Sequence, residues 1–427
     1  MRFSTLTEWL AWQETLHPQA IDLGLERVAA VAASLNLLHP DALVISVAGT
    51  NGKGSTLAML ESILCAAGYR VGKYTSPHLL QYNERICVDQ QLISDSDLCH
   101  VFARIDRARA DISLSYFEFS TLAALQYFFD QKVDIFLLEV GLGGRLDAVN
   151  IMDADIALVT NVDLDHQDWL GDDVESIAYE KAGIFRTQRP AICAQPQPPL
   201  ALMRQVRDIA AIGYQAGVDF SYRVEAGRWS WHAADKSITS LPMPALHGTF
   251  QLQNAAAVMQ VLQLIEADFP VSQQALELGL THVQLAGRMQ HIDGEVDCIL
   301  DVAHNPHAAR ALVKALPEKS AGGRYLLVLG MLADKDVETV TSLLSTLSTQ
   351  WYLGGLDVNR GLSAEALAGR VVESLDTLTI ACHDDISTAL VAARKQAGAG
   401  DTILVCGSFY SVAEALVFLQ QERDTNE

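Results

Sequence analysis

Gly49-Thr50-Asn51-Gly52-Lys53-Gly54-Ser55 gathers the residue types that a polyphosphate needs. Glycines let backbone N–H groups come close to an anion, Lys53 adds a point charge, and the Ser55 hydroxyl could touch a metal. The apolar run Leu43-Val44-Ile45-Ser46-Val47 before it reads as a buried strand. Leu57, Leu60, Ile63, Leu64 and Ala67 after it recur at helical spacing, and Gly68 stops that helix. The glycines therefore lie between a strand and a helix N-terminus, where unpaired N–H groups and the helix dipole favour an anion. The stretch departs from the usual phosphate-loop rule. Val47 stands where the first glycine belongs, and Gly54 separates Lys53 from the hydroxyl. The bland alternative is a glycine turn before an ordinary helix. Strand, loop, lysine and helix in the required order favour a nucleoside triphosphate site.

Further polar residues fall just past apolar runs. Glu139 ends the strand expected over Val133–Val140 and is followed by Gly141-Leu142-Gly143-Gly144-Arg145. An acid there can hold Mg²⁺ directly or through water; the alternative is a solvated strand end. His166, in Asp163-Leu164-Asp165-His166, reads equally as a ligand or as a surface residue. Spacing alone does not lift Lys181 above an exposed helical lysine, nor Ser76 above a turn serine beside Pro77. Asp301-Val302-Ala303-His304-Asn305-Pro306 places an acid, an imidazole and an amide after another expected strand.

These residues need a frame. Expected strands at 70–74, 133–140, 156–162 and around 191–193 alternate with helical patterns at 94–110, 116–130 and 174–185. Alternating strands and helices predict an α/β fold with a mostly parallel sheet, whose ligands sit beyond the C-terminal strand ends. Helices are also expected around Trp9 and Trp12 and from Leu25 to Leu35. Residues 195–245, with their prolines, Trp229 and Trp231, read as an irregular β-rich insertion before a helix at 250–266. Leu285-Ala286-Gly287-Arg288 reads as a hinge. Beyond it the α/β rhythm restarts with strands at 298–302, 325–329, 351–353 and 402–406. The expected domains are 1–286 and 287–427.

The chain has 427 residues, enough for two or three domains, and a formal charge of −22. That charge, with no basic stripe, argues against nucleic acid as a partner. It also means that a triphosphate needs local help from a divalent metal and a few placed cations. No run is long and apolar enough for a membrane span and no basic leader opens the chain, so the cytoplasm is expected. Seven cysteines without C-x-x-C or metal spacing read as reduced thiols.

Six ordered stretches resemble the folylpolyglutamate synthases of the Mur ligase superfamily. They are Gly49–Ser55, Thr75-Ser76-Pro77-His78-Leu79, Glu139–Asp147, Asp165-His166, Glu180-Lys181-Ala182-Gly183-Ile184-Phe185 and Asp301–Pro306. Ile21–Val28, Tyr116–Phe119 and Cys406-Gly407-Ser408-Phe409 resemble the bacterial branch with dihydrofolate synthase and folylpolyglutamate synthase activities. The resemblance implies a P-loop ATP-binding domain and a smaller Rossmann-like α/β C-terminal domain. It implies a ligase that adds L-glutamate to dihydropteroate and to reduced folates through an acyl phosphate. It makes Thr50, Asn51, Gly52, Lys53, Gly54 and Ser55 the triphosphate cradle, with Asn254, Arg288, Asp301 and His304 also on ATP. Ser76, Glu139 and His166 become the Mg²⁺ ligands, for two ions, with a monovalent cation as a further cofactor. Lys181 becomes a lysine carbamate formed with CO₂, and Lys53, Glu139, His166 and Lys181 the catalytic set. Asp22, Leu23, Gly24, Ser115, Tyr116, Phe117, Glu118, Leu146, Asp147 and Ala148 become the pteroate-binding segments. The partners implied are small molecules only, on a monomer. Two rivals stay open: a ligase for another carboxylate, such as a cell-wall precursor, and a non-catalytic ATP-binding regulator.

Overall fold

A computed structural model describes residues 2–19, 21–317, 319, 323–371 and 378–426. The chain divides into two compact units, residues 1–245 with 251–284, and residues 246–250 with 285–427.

The first unit is built on an eight-stranded sheet. Its strands are β1 (Leu43–Ala48), β2 (Val71–Tyr74), β3 (Ile86–Val88), β4 (Gln91–Leu92), β5 (Ile135–Glu139), β6 (Ile156–Val159), β7 (Pro190–Cys193) and β8 (Ile212–Gln215). They lie in the order β4-β3-β2-β5-β1-β6-β7-β8. The six from β2 to β8 along that order are parallel, and β3 and β4 run antiparallel at one edge. Parallel strands are covered on both faces, which is why β1 and β5 read as unbroken apolar runs. Helices α1 (Leu6–Leu16), α2 (Glu26–Ser34), α3 (Lys53–Ala66), α4 (Asp95–Ala108) and α5 (Tyr116–Gln131) precede β5. The short α6 (Gln167–Leu170), then α7 (Val174–Ala182) and α8 (Leu200–Asp208), follow β6. Helix α3 starts at Lys53, four residues before its apolar periodicity begins, so the lysine sits in its first turn.

Residues 195–245 are not wholly an irregular insertion. Helix α8 and β8 extend the parallel sheet by one more crossover. Only β9 (Phe220–Glu225), β10 (Arg228–Ala233) and β11 (Ser237–Pro242) form a separate antiparallel sheet. The prolines before Leu200 masked α8, although its apolar positions do fall on one face. Trp229 and Trp231 explain the composition there. Both are fully buried, and Trp229 Nε1 donates to Pro242 O at 2.8 Å. Helices α9 (Phe250–Ile265) and α10 (Gln273–His282) complete the unit's secondary structure, α10 packing on α3.

The second unit holds β12 (Gln290–Ile292), β13 (Asp297–Leu300), β14 (Tyr325–Leu329), β15 (Gln350–Gly354), β16 (Thr379–His383) and β17 (Thr402–Cys406). Their order is β12-β13-β17-β14-β15-β16, parallel except for β12. The two edge strands escape a sequence reading because β12 has three residues and β16 is largely exposed. Helices α11 (Pro306–Ala315), α12 (Val337–Leu344), α13 (Ala364–Arg370), α14 (Ile386–Gln396) and α15 (Phe409–Asn426) lie between and after the strands.

Candidate active site

Strand order brings distant residues together. The neighbours β5, β1 and β6 end in Glu139, the glycine loop and the 160–166 loop, at the point where the sheet changes winding direction. Val47 pairs with Glu139 and with Leu158, and Tyr74, two residues before Ser76, pairs with Leu138. The backbone N–H of Ser76 donates to Glu139 Oε2 at 3.2 Å. Lys53 Nζ lies 3.9 Å from Glu139 Oε1 and donates to Gly49 O at 3.0 Å.

The loop takes its shape from β6. Gly49 has φ +148°, and a Cβ there would stand 1.8 Å from Thr160 Oγ1. Gly52 has φ +85°, and a Cβ there would meet the Asn254 amide at 2.8 Å. Thr160 Oγ1 donates to Asn51 O at 2.6 Å, Asn51 N to Asn161 Oδ1 at 2.9 Å, and Thr50 Oγ1 to Asp163 O at 3.1 Å. Gly54 and Ser55 fall in the first turn of α3. Ser55, read from sequence as a hydroxyl that could touch a metal, is buried, and its Oγ accepts from Gln251 Nε2 at 3.2 Å. One extra residue turns a side chain about 100° around a helix, so Gly54 directs this hydroxyl away from the position the usual loop gives it. Gln251 Oε1 accepts in turn from Asn254 Nδ2 at 2.9 Å.

Lys181 is not an exposed helical lysine. It is buried, and desolvation pushes its pKa down to about 7, with the Lys53 charge adding to the effect and Asp165 and Asp147 opposing it. Asp147 is also buried. Its carboxylate accepts from Leu142 N at 2.8 Å and Val149 N at 3.0 Å, yet desolvation raises its pKa to about 6. Arg145, which follows the glycines after β5, bonds Glu180 Oε1 through Nε (3.1 Å) and Nη2 (2.8 Å). That ties the helix carrying Lys181 to the glycine loop after β5. His166 stands at the start of α6 in the left-handed region, φ 53°, with its side chain 44% exposed and Nε2 4.0 Å from Asp165 Oδ1.

Among the described residues, no group of three or more His, Cys, Asp or Glu could hold a metal ion. The donor set nonetheless fits a hard cation: a buried Glu139 carboxylate beside Ser76, in a site that a phosphate would share. The near-neutral amine of Lys181 fits a carbamate, since only the unprotonated amine adds CO₂.

The segments around Asp22, Ser115 and Leu146 converge where α2, α5 and the turn at Ala148–Ile151 pack together. Ser115 caps α5 and forms a capping box with Glu118. Asp22 and Glu118 are joined by Arg27, and His17 reaches Asp22 from the other side. Leu23 and Gly24 lie in the loop between Asp22 and α2. Tyr116 lies under the Arg85 guanidinium, 5.6 Å away, and the Phe117 ring closes on Gly141. Leu146 and Ala148 flank Asp147. Arg27, His17, Arg85 and Gln251 had not been singled out from sequence. Arg27 lies inside the Ile21–Val28 stretch, but only the fold shows what it touches.

In the second unit Asp301 follows β13. Its Oδ2 accepts from Met289 N at 2.9 Å and its Oδ1 from Ala303 N at 2.8 Å. Desolvation raises its pKa, and the Arg288 charge opposes the rise. Arg288 lies 5.2 Å from the Phe409 ring centroid, and the His304 ring 6.0 Å from it. Asn305 caps α11, with Pro306 at its first position.

Comparison with known proteins decides the family. The Mur ligase middle domain model matches residues 47–262, and the Mur ligase glutamate ligase domain model matches residues 287–409. The dihydrofolate synthase/folylpolyglutamate synthase of Escherichia coli strain K12 is 44% identical over 423 residues, covering 98% of this chain and 97% of that protein. The chain belongs to this Mur ligase family. The family's Haemophilus influenzae member is 39% identical, covering 96% of this chain and 97% of its own length. The structure of E. coli FolC in complex with DHPP and ADP superposes with TM-score 0.92 at 44% identity, covering 98% of this chain and 99% of that one. A bifunctional folylpolyglutamate synthase/dihydrofolate synthase from Yersinia pestis CO92, complexed with AMPPNP and Mn ion, gives TM-score 0.90 at 44% identity. It covers 98% of both chains.

Proposed function

We propose that this chain is an ATP-dependent ligase of the dihydrofolate synthase/folylpolyglutamate synthase type. It joins L-glutamate to dihydropteroate and to the glutamate tail of reduced folates. The single observation that carries the chemistry is the cluster at the ends of β5, β1 and β6. It gathers a glycine loop on a helix N-terminus, a buried carboxylate beside Ser76, and a buried lysine with a pKa near 7.

The substrate carboxylate oxygen attacks the γ-phosphorus of ATP, the bond to the β–γ bridging oxygen breaks, and ADP leaves. The glutamate amine then attacks the acyl carbon of the acyl phosphate, loses a proton and expels inorganic phosphate. Both partners in the first step are anions, so placed positive charge sets the rate. Lys53 and the loop N–H groups bind the triphosphate, with Thr50, Asn51, Gly52, Gly54 and Ser55 shaping the loop. Asn254 adds a contact from α9, and Arg288, Asp301 and His304 are further nucleotide-binding residues. Ser76, Glu139 and His166 would hold divalent metal, which when bound spreads charge on the transferring phosphoryl group. Lys181, buried and with its pKa lowered to about 7, would take up CO₂ as a carbamate, which would supply a further anionic oxygen. The segments at Asp22–Gly24, Ser115–Glu118 and Leu146–Ala148 hold the pteroate. The enzyme acts as a monomer in the cytoplasm. Its seven cysteines are free thiols, and among the described residues no helix is long and apolar enough to cross a membrane.

The test is product mass spectrometry with dihydropteroate and tetrahydrofolate in parallel, each with ATP and L-glutamate. Glutamate addition and stoichiometric ADP are expected with both. Lys53→Ala is expected to abolish both reactions while the circular dichroism spectrum stays native. Near-normal turnover in that variant would refute the phosphate-cradle assignment.

A further inference from the structure

Two carboxylates of the pteroate region come from segments far apart in sequence. Asp22 lies in the loop before α2, and Glu118 in the first turn of α5. Left alone they would repel. One guanidinium holds both: Arg27 Nη1 is 2.7 Å from Asp22 Oδ2, and Nη2 is 3.1 Å from Glu118 Oε1 and 3.2 Å from Asp22 O. His17 stands on the far side, with Nε2 3.0 Å from the same Asp22 Oδ2 and Nδ1 3.0 Å from Ser113 Oγ. Glu118 spends its other oxygen on its own helix cap, where Oε2 accepts from Ser115 N at 2.7 Å.

Both partners of the Asp22 carboxylate therefore grip one oxygen. Among the described residues, Oδ1 has no hydrogen-bond or ion-pair partner, and the Asp22 side chain is 30% exposed. The carboxylate is held by one oxygen, leaving the other as an unused acceptor on a part-exposed side chain. Arg27 is itself restrained, because its side chain is only 28% exposed and its Nε is buried. Orienting an acceptor before the ligand arrives removes an ordering cost from binding. A ring carrying N–H donors, as a pterin does, is the ligand chemistry such an acceptor recognises.

We infer that Arg27, assisted by His17, is a positioning residue that presents Asp22 Oδ1 to the pterin end of both dihydropteroate and reduced folates. This rests on the ligase reading and the pteroate assignment above. Arg27 touches neither ATP nor glutamate in this role, so its loss acts on one substrate class only.

The experiment is steady-state kinetics of Arg27→Ala and Arg27→Lys with each substrate varied in turn. Loss of a hydrogen-bonded charge raises KM for dihydropteroate and tetrahydrofolate together, by about 10- to 100-fold. KM for ATP and glutamate and kcat are expected to stay within about threefold. Arg27→Lys reaches one carboxylate at a time and gives an intermediate KM, and free guanidinium lowers the KM of Arg27→Ala. Should Arg27→Ala not fold, Arg27→Met and His17→Leu carry the same test, the latter with a smaller rise. A pterin-substrate KM within twofold of wild type overturns the inference. So does a parallel rise in the ATP and glutamate KM values with no rescue by lysine or guanidinium. Wild-type turnover of dihydropteroate is the control. Its absence would sink the ligase reading itself, whereas its presence with an unmoved Arg27→Ala KM sinks only the positioning role.

Discussion

Replacing Lys181 by methionine is expected to stabilise the first unit while inactivating the enzyme. Burial lowers the Lys181 pKa from the ordinary lysine value of 10.5 to about 7. Between those values the unfolded chain binds the proton and the folded chain does not, so wild-type stability rises with pH across that window. Below pH 7 the folded protein must hold the charged ammonium in its interior, and the whole difference is lost. A gap of this size is worth roughly 5 kcal/mol as an upper bound, since relaxation around the ammonium takes part of it back. Lys181→Met keeps the apolar stem and removes the charge. The variant should therefore melt higher than wild type at pH 6.5, by up to about 8 °C at ~1.7 °C per kcal/mol for a unit of this size. The difference should shrink towards zero near pH 10. The assay is differential scanning calorimetry of both proteins in degassed, EDTA-treated buffer, so that neither carbamate nor metal binds Lys181. A melting difference that does not change with pH, or a less stable variant at pH 6.5, refutes the reasoning. The same variant should lose ligation with both pteroate substrates.

Three further outcomes follow from the phosphate loop and its surroundings. Gly49→Ala sets a methyl group 1.8 Å from Thr160 Oγ1; rotating that hydroxyl away would break its bond to Asn51 O and still leave Thr160 Cβ 3.1 Å from the methyl. It should cost about 3 kcal/mol or more in stability and abolish ATP-dependent ligation, measured by melting and by ADP release. Gln251→Leu strips the partner from both the Ser55 hydroxyl and the Asn254 amide. The expected cost is about 1–3 kcal/mol, with KM for ATP rising while KM for dihydropteroate stays put; equal rises in both would contradict the assigned role. Arg145→Met breaks a pair whose arginine side chain is 43% exposed, so the stability loss should stay within about 1 kcal/mol. Activity should fall less than tenfold, far less than in Lys53→Ala, because Arg145 is bonded to Glu180; a loss matching Lys53→Ala would place it on the phosphates.

What was legible in the sequence was local. The glycine loop between a strand and a helix, the parallel α/β rhythm in both halves and the acid ending β5 all follow from periodicity within a dozen residues. What escaped depends on contacts across the chain. Ser55 reads as a hydroxyl for a metal until Gln251, 196 residues away, is seen to hold it. Lys181 carries no local sign of burial; it becomes unusual only when α7 packs on the loop of Gly143 and Gly144, whose missing side chains allow the approach. Helix α8 was lost for a local reason, a run of prolines beside it that suggested irregular structure. The three-residue β12 and the exposed β16 have too few buried positions to show a pattern.

The place of β1 in the sheet also bears on how the protein is made. It is the first strand to leave the ribosome, yet both of its neighbours, β5 and β6, are synthesised some ninety to a hundred and ten residues later. The loop that follows β1 is braced by Thr160, Asn161 and Asp163, so the nascent chain carries the complete glycine motif long before the motif has its shape. Nucleotide affinity should thus arise late and abruptly as the chain lengthens, once residue 163 and its strand have docked. A chain stalled before β6 would leave one side of the apolar β1 without its neighbouring strand, a length at which a chaperone would have most to protect.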